Sequence, residues 1–207
     1  MPEQWEGDVP TIPDRLVEPD EMLGSQWKGY ELIDGVPVEH EMSQDANDVT
    51  LRLILYIGTH LQSQPIGRLF GMEKGFRLWP ERPRTVRKPD IALVSFARYP
   101  QSTIPRGHLT WVPDLVVEAI SPNDLAYAVE TKLEEYHAAG VRLLWVVYPH
   151  TETIVIRRLN GTASEVGAAG TLTGEDVLPG FACAVAELFN PPDSQPPAPL
   201  PTAVPPV

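Results

Sequence analysis

Three charged residues stand where the hydrophobic pattern asks for apolar ones. In "DLVVEAISPND", residues 114–124, strand alternation puts Val116, Glu118 and Ile120 on one face and Leu115, Val117 and Ala119 on the other. Both faces are apolar, so Glu118 is expected to be buried, where an isolated carboxylate is costly unless it is paired, hydrogen-bonded or bound to metal. The segment that follows reads as a helix. With Leu125 as origin, Val129 falls near ~40°, Leu133 near ~80°, Tyr136 near ~20° and Lys132 near roughly −20°. Lys132 therefore shares the apolar stripe, and Tyr136 one turn on packs along its stem. Asp90 is the third misfit, placed after Pro89 at the mouth of the apolar run Ile91, Ala92, Leu93, Val94.

Two carboxylates on neighbouring strands with an ammonium on the adjoining helix have two readings. One is a structural ion pair, with the lysine stem along the apolar surface and its head at the rim. The other is chemical. Paired hard oxygen ligands suit Mg2+ or Mn2+, which takes one or two protein carboxylates and completes its shell with water and substrate phosphate. Such an ion polarises a phosphoryl oxygen, while the lysine orients or deprotonates an attacking water. The five histidines show no HxxxH or HxH spacing, so a histidine metal site is not expected. Ser121 has no nucleophile-elbow motif around it and is explained as a helix cap.

The elements that must hold these groups follow from periodicity and punctuation. "YELIDGVPVEHEM", 30–42, alternates around Asp34-Gly35 and reads as a hairpin. Residues 48–64 carry Val49, Leu53, Tyr56, Ile57 and Leu61 at helical spacing. Gly67 opens a stretch of short strands, and 88–94 and 113–121 are compact runs of Val, Ile and Leu. Ser121-Pro122 is read as the start of a helix that reaches Gly140, a C-terminal cap. "VRLLWVVYP" and "TIVIRRL" give two further strands, and 178–189 closes the domain. This order predicts an α/β mixed sheet flanked by helices, with a βαβ unit over 113–149 whose carboxyl-end crevice is a natural place for a site.

A chain of 207 residues supplies one core. Residues 1–25 are expected to form a flexible acidic arm, 26–190 the folded domain, and 191–207, rich in proline, a disordered tail. One cysteine, Cys183, excludes an internal disulfide and a cysteine-cluster zinc site. No apolar run spans a bilayer and no signal peptide is recognisable, which makes the cytoplasm the expected compartment. The net charge of −12 hides an asymmetry, with −11 over 1–50, +7 over 51–112 and −8 over 113–207. The basic third interleaves Arg68, Lys74, Arg77, Arg84, Arg87 and Lys88 with Phe70, Phe76 and Trp79. That composition fits either a phosphate-tracking surface or a solvated charged hairpin.

"RKPDIALV", "PDLVVEAISPND", "ETKLEEYHAAGVRLLWVVYP" and "YELIDGVPVEHEM" together resemble the Uma-type family of restriction endonucleases within the PD-(D/E)XK nuclease superfamily. The resemblance covers roughly residues 28–189. It implies a restriction-endonuclease-like sheet with an added N-terminal hairpin, metal-dependent hydrolysis of DNA phosphodiesters with Mg2+ or Mn2+, and action as a homodimer. Under it Asp90 and Glu118 match the metal ligands, Lys132 the lysine of the following helix, and Glu31 an early acidic position that completes the site. The sequence departs from the pattern in three places. Ile120 stands where the superfamily places a lysine, Asn47 or a neighbour where the family often has histidine, and Tyr148-Pro149 where it often has Asp-Pro. The competing expectation is an inactive nuclease-fold module that binds DNA or protein.

Overall fold

A computed structural model describes residues 11–99 and 106–190. Its centre is a six-stranded mixed sheet in the order β3-β4-β5-β6-β7-β8. The strands are β3 (Gly67–Gly71), β4 (Ile91–Ser95), β5 (Leu115–Ala119), β6 (Leu143–Tyr148), β7 (Thr153–Arg158) and β8 (Ala163–Gly167). Only β5 and β6 run parallel, joined by the crossover helix α2 (Ala126–Ala138); the other neighbours are antiparallel. The interior strands are nearly continuous Val, Ile and Leu because both of their faces are covered.

The two faces are packed differently. On one lies α1 (Gln44–Ser63), whose Val49, Leu53 and Ile57 recur at four-residue spacing and bury against Leu115, Val117, Trp145 and Val147. The antiparallel pair β9 (Thr171–Gly174) and β10 (Leu178–Ala184), with the short α3 (Val185–Phe189), completes this layer through Leu172, Phe181 and Cys183. Cutting Leu53 to alanine there would cost about 2–5 kcal/mol. On the other face α2 lays Tyr136 against Val116, Leu144 and Trp79. Glu118 shares the parity of Val116 and so points toward α2, as strand alternation predicts.

The hairpin forms as expected: β1 (Tyr30–Ile33) pairs with β2 (Val36–Glu39) across Asp34 and Gly35, both at positive φ. It is a separate two-stranded sheet, attached to the body by the Leu32–Val86 bridge. Residues 17–25, expected to be a flexible arm, instead pack beneath it. Val17 and Met22 are buried with Trp27, Tyr30, Leu32 and Val86, and the Val17 N–H bonds to Gly35. Apolar burial at Val17 and Met22 outweighs the acidic composition, and the acids find partners, Glu18 with Arg84 and Glu21 with Arg15. The first ten residues of that arm and the proline-rich tail lie outside the described residues.

The start of α2 also departs from expectation. Its first helical residue is Ala126, preceded by Leu125 without a side-chain cap. Ser121 and Asp124 instead close a turn, with the Ser121 N–H on the Asp124 carboxylate at 2.7 Å and the Asp124 N–H on the Ser121 carbonyl. The Ser121 hydroxyl is taken by the N–H of Ser43, the residue that caps α1. Gly140 does end the helix, at φ 89°. Among the described residues no helix is long and apolar enough to cross a membrane.

Candidate active site

The β4–β5 register assembles the carboxylates. Ile91 pairs with Val117, so one step further sets Asp90 opposite Glu118. Both are buried. Asp90 Oδ2 accepts the backbone N–H of Ala119 at 2.7 Å, whereas Asp90 Oδ1 and Glu118 Oε1 are buried without a hydrogen-bond partner. Orphaned buried carboxylate oxygens are costly and rare in native proteins.

Lys132 reaches this pair from α2, its ammonium 2.8 Å from Glu118 Oε2 and 3.0 Å from Glu31 Oε1. Glu31, on β1, is fully engaged: Oε1 also accepts the backbone N–H of Lys88, and Oε2 pairs with Arg87 at 2.8 Å. Arg87 continues to Glu135 at 2.7 Å, and Glu135 meets Arg82, which pairs with Asp34. A chain of alternating charges thus ties the hairpin, the 82–88 segment and α2 together.

His40, one residue past β2, completes the group. Its Nε2 lies 3.4 Å from the Lys132 ammonium. An ammonium has only protons to give, so the nitrogen facing it carries a lone pair. His40, Asp90 and Glu118 each place a ligand atom within 4.8 Å of the others'. Two carboxylate oxygens and an imidazole nitrogen form a donor set that fits a divalent ion.

The electrostatics follow from an excess of acids. Burial, then the charges of Asp90 and Glu31, push Glu118 up to about 8 despite the opposing pull of Lys132. Burial likewise pushes Asp90 up to about 6. Glu31 has burial against it, but Lys132 and Arg87 outweigh that and hold it down at about 2. Lys132 loses stability as a cation through burial and regains more from Glu118, Glu31 and Asp90, so it stays an ammonium. His40 is lowered by burial and by the Lys132 charge, which favours neutral imidazole. The Tyr136 hydroxyl, buried beside Glu118, is raised by burial and by the charges of Glu118 and Glu31.

A family model described as "Uma2: Putative restriction endonuclease" matches residues 18–186. The chain belongs to the Uma2 family. A solved structure described as a putative nuclease belonging to DUF820, from Anabaena variabilis ATCC 29413, superposes with a TM-score of 0.66. That alignment is 17% identical and covers 77% of this chain and 89% of the other, so it establishes the shared fold. No curated protein matches the chain.

In this Uma2-family chain Asp90, Glu118, Lys132 and Glu31 come together as one cluster; Glu118, Lys132 and Glu31 line a cavity of about 330 Å³ between the hairpin and α2, and Asp90 lies buried behind Glu118. The basic residues do not follow the expected pattern. Arg87 and Lys88 are buried, Arg87 in the charge chain and Lys88 between Glu73 and the Trp27 carbonyl, so neither is a surface phosphate contact. Arg68 lies over the Tyr99 ring, Lys74 bonds to the Gly107 carbonyl, Arg77 to that of Pro83, and Arg84 pairs with Glu18. Of the six, Arg87 alone lines the cavity. His40 is the participant that sequence spacing missed, and a histidine does join the candidate ligand set. The signal for it was the hairpin register: Glu31 pairs with Val38, and period two carries the same face on to His40.

Proposed function

We propose that this chain is a divalent-metal-dependent endonuclease that hydrolyses DNA phosphodiesters. The observation that carries the reading is the pair of buried, unpartnered oxygens, Asp90 Oδ1 and Glu118 Oε1, beside a lysine held as an ammonium. Asp90 and Glu118, with His40, would hold Mg2+ or Mn2+. When bound, the ion supplies Lewis-acid polarisation of the phosphoryl oxygen and lowers the pKa of water.

The protein's own groups divide the remaining work. Lys132 is too firmly protonated to act as a base; it donates hydrogen bonds to the attacking water or to a non-bridging phosphate oxygen and stabilises the charge that grows there. Both Glu31 oxygens are already paired, so it acts as a positioning residue that aims Lys132 and is itself fixed by Arg87 and the Lys88 N–H. The neutral His40 imidazole, facing the cluster, is either a ligand or the acceptor of the water proton. The cavity keeps these charges in a low-dielectric setting where each contact is strengthened.

Calorimetric titration of Mn2+ and Mg2+ into the wild type and Glu118→Gln, with plasmid nicking on the same samples, tests the proposal. Binding and nicking in the wild type, both lost in the variant, are expected. A second reading, a nuclease fold kept as an inactive binding module, draws on the Lys132 ion pairs with Glu118 and Glu31. It predicts a wild type that neither binds metal nor nicks, and a Glu118→Gln variant altered only in stability.

A further inference from the structure

The rim of the same cavity is unlike the approach to a duplex-binding cleft. Its mouth carries Val38, Leu125 and Tyr127, with Leu125 and Tyr127 75% and 85% exposed at the start of α2. Single exposed apolar residues need no explanation, but three converging on one cavity do. The charges point the same way. Every basic residue that lines the cavity is already committed: Arg82 to Asp34 and Glu135, Arg87 to Glu31 and Glu135, Lys132 to Glu31 and Glu118. Among the described residues the remaining charges on the rim are Glu39 and Asp124.

A duplex presents one phosphate charge per ~1.7 Å of axis, and proteins that hold it neutralise several of them with lysine and arginine. This rim repels such a rail. An unpaired nucleotide has different needs: one phosphate at the reacting centre and a flat apolar face for the base. About 330 Å³ is a pocket for a small ligand rather than a groove for a helix. Resting on the nuclease reading, we infer that the substrate is an unpaired DNA segment. Its scissile phosphate sits over Glu118 and Lys132, and a neighbouring base stacks on Tyr127 against Leu125 and Val38. Because the cavity floor and the apolar rim are one continuous surface, the base is held within one nucleotide of the reacting phosphate.

The test uses one end-labelled DNA strand, alone and annealed to its complement, with Mn2+ and the full chain. The single strand should be cut at least about tenfold faster. Its binding should weaken only shallowly with salt, in keeping with one or two phosphate contacts on a slope of roughly −0.7 per contact. Tyr127→Ala should weaken single-strand binding about tenfold or more while Tyr127→Phe, which keeps the ring, retains it; neither should move the melting temperature. Equal or faster cutting of the duplex would overturn the inference while leaving the nuclease reading intact. So would an unaffected Tyr127→Ala, or one that converts a dimer to a monomer in sedimentation, which would make the rim a contact between copies. If neither DNA is cut and no metal binds, the nuclease reading itself fails and takes this inference with it.

Discussion

The Asp90 carboxylate accepts the backbone N–H of Ala119 at 2.7 Å, tying the mouth of β4 to the last residue of β5. One oxygen is thereby spent on architecture and the other is left free toward Glu118. Asparagine can keep the first function and not the second. Asp90→Asn is expected to match or exceed the wild-type melting temperature at pH 8 while losing Mn2+ binding in calorimetry. Asp90→Ala, which strands the Ala119 N–H, should cost about 1–3 kcal/mol in urea unfolding.

Stability should depend on pH in two opposite senses. Asp90 and Glu118 have folded-state values raised to about 6 and about 8, so the protonated forms favour the fold. Their contribution is complete below the ordinary carboxylate range and is lost as pH rises through about 6 and then about 8. Glu31, lowered to about 2, contributes above the ordinary range and is lost only in strong acid. Metal-free protein in EDTA should therefore lose on the order of a few kcal/mol between pH 5 and pH 9. Glu118→Gln should flatten the upper part of that decline, and Mn2+ should reverse it. A flat profile from pH 5 to 9 would falsify the assignment.

Lys132 is the only cation in contact with Glu118 among the described residues, 2.8 Å away and buried with it. Lys132→Met leaves Glu118 without a cation and Glu31 with Arg87 as its only one among the described residues, and is expected to cost about 3–5 kcal/mol without metal. Added Mn2+ should raise the melting temperature of this variant more than that of the wild type. Because Lys132 stays protonated well beyond neutrality, the wild-type pH–rate profile should show no limb from a lysine losing its proton near pH 8.

His40 offers a softer donor than the two carboxylates and sits only partly buried. Removing it should discriminate between ions. His40→Ala should weaken Mn2+ binding by about tenfold or more and Mg2+ binding less, with little change in urea midpoint. Equal affinities before and after the change would place His40 outside the ligand set.

What could be read from the chain was whatever repeats locally. Val, Ile and Leu runs announced β4, β5 and β6, and the four-residue spacing of Val49, Leu53 and Ile57 announced α1. Glu118 and Lys132 stood out because each violates an apolar pattern only fourteen residues from the other. Other features depend on what a segment packs against. Arg87 and Lys88 looked like surface charge, yet 85–90 is buried whole, with Val86 bridged to Leu32 of the hairpin and Arg87 to Phe76. β8 and β9 are short and rich in Gly, Ala, Ser and Thr, so nothing in their composition set them apart from loop. His40 escaped because spacing rules search within one helix, whereas this group is gathered from a hairpin, two strands and a crossover helix.

That gathering carries a kinetic consequence. The contact between His40 and Lys132 closes a loop of 92 residues, and Glu31 meets Arg87 across 56. Contacts of such separation form late in folding, because chain entropy is lost before they return any energy. A chain still growing, clipped between the hairpin and α2, or only half collapsed would hold its acids and its ammonium in different places. Whatever chemistry this centre performs is therefore withheld until the molecule is whole.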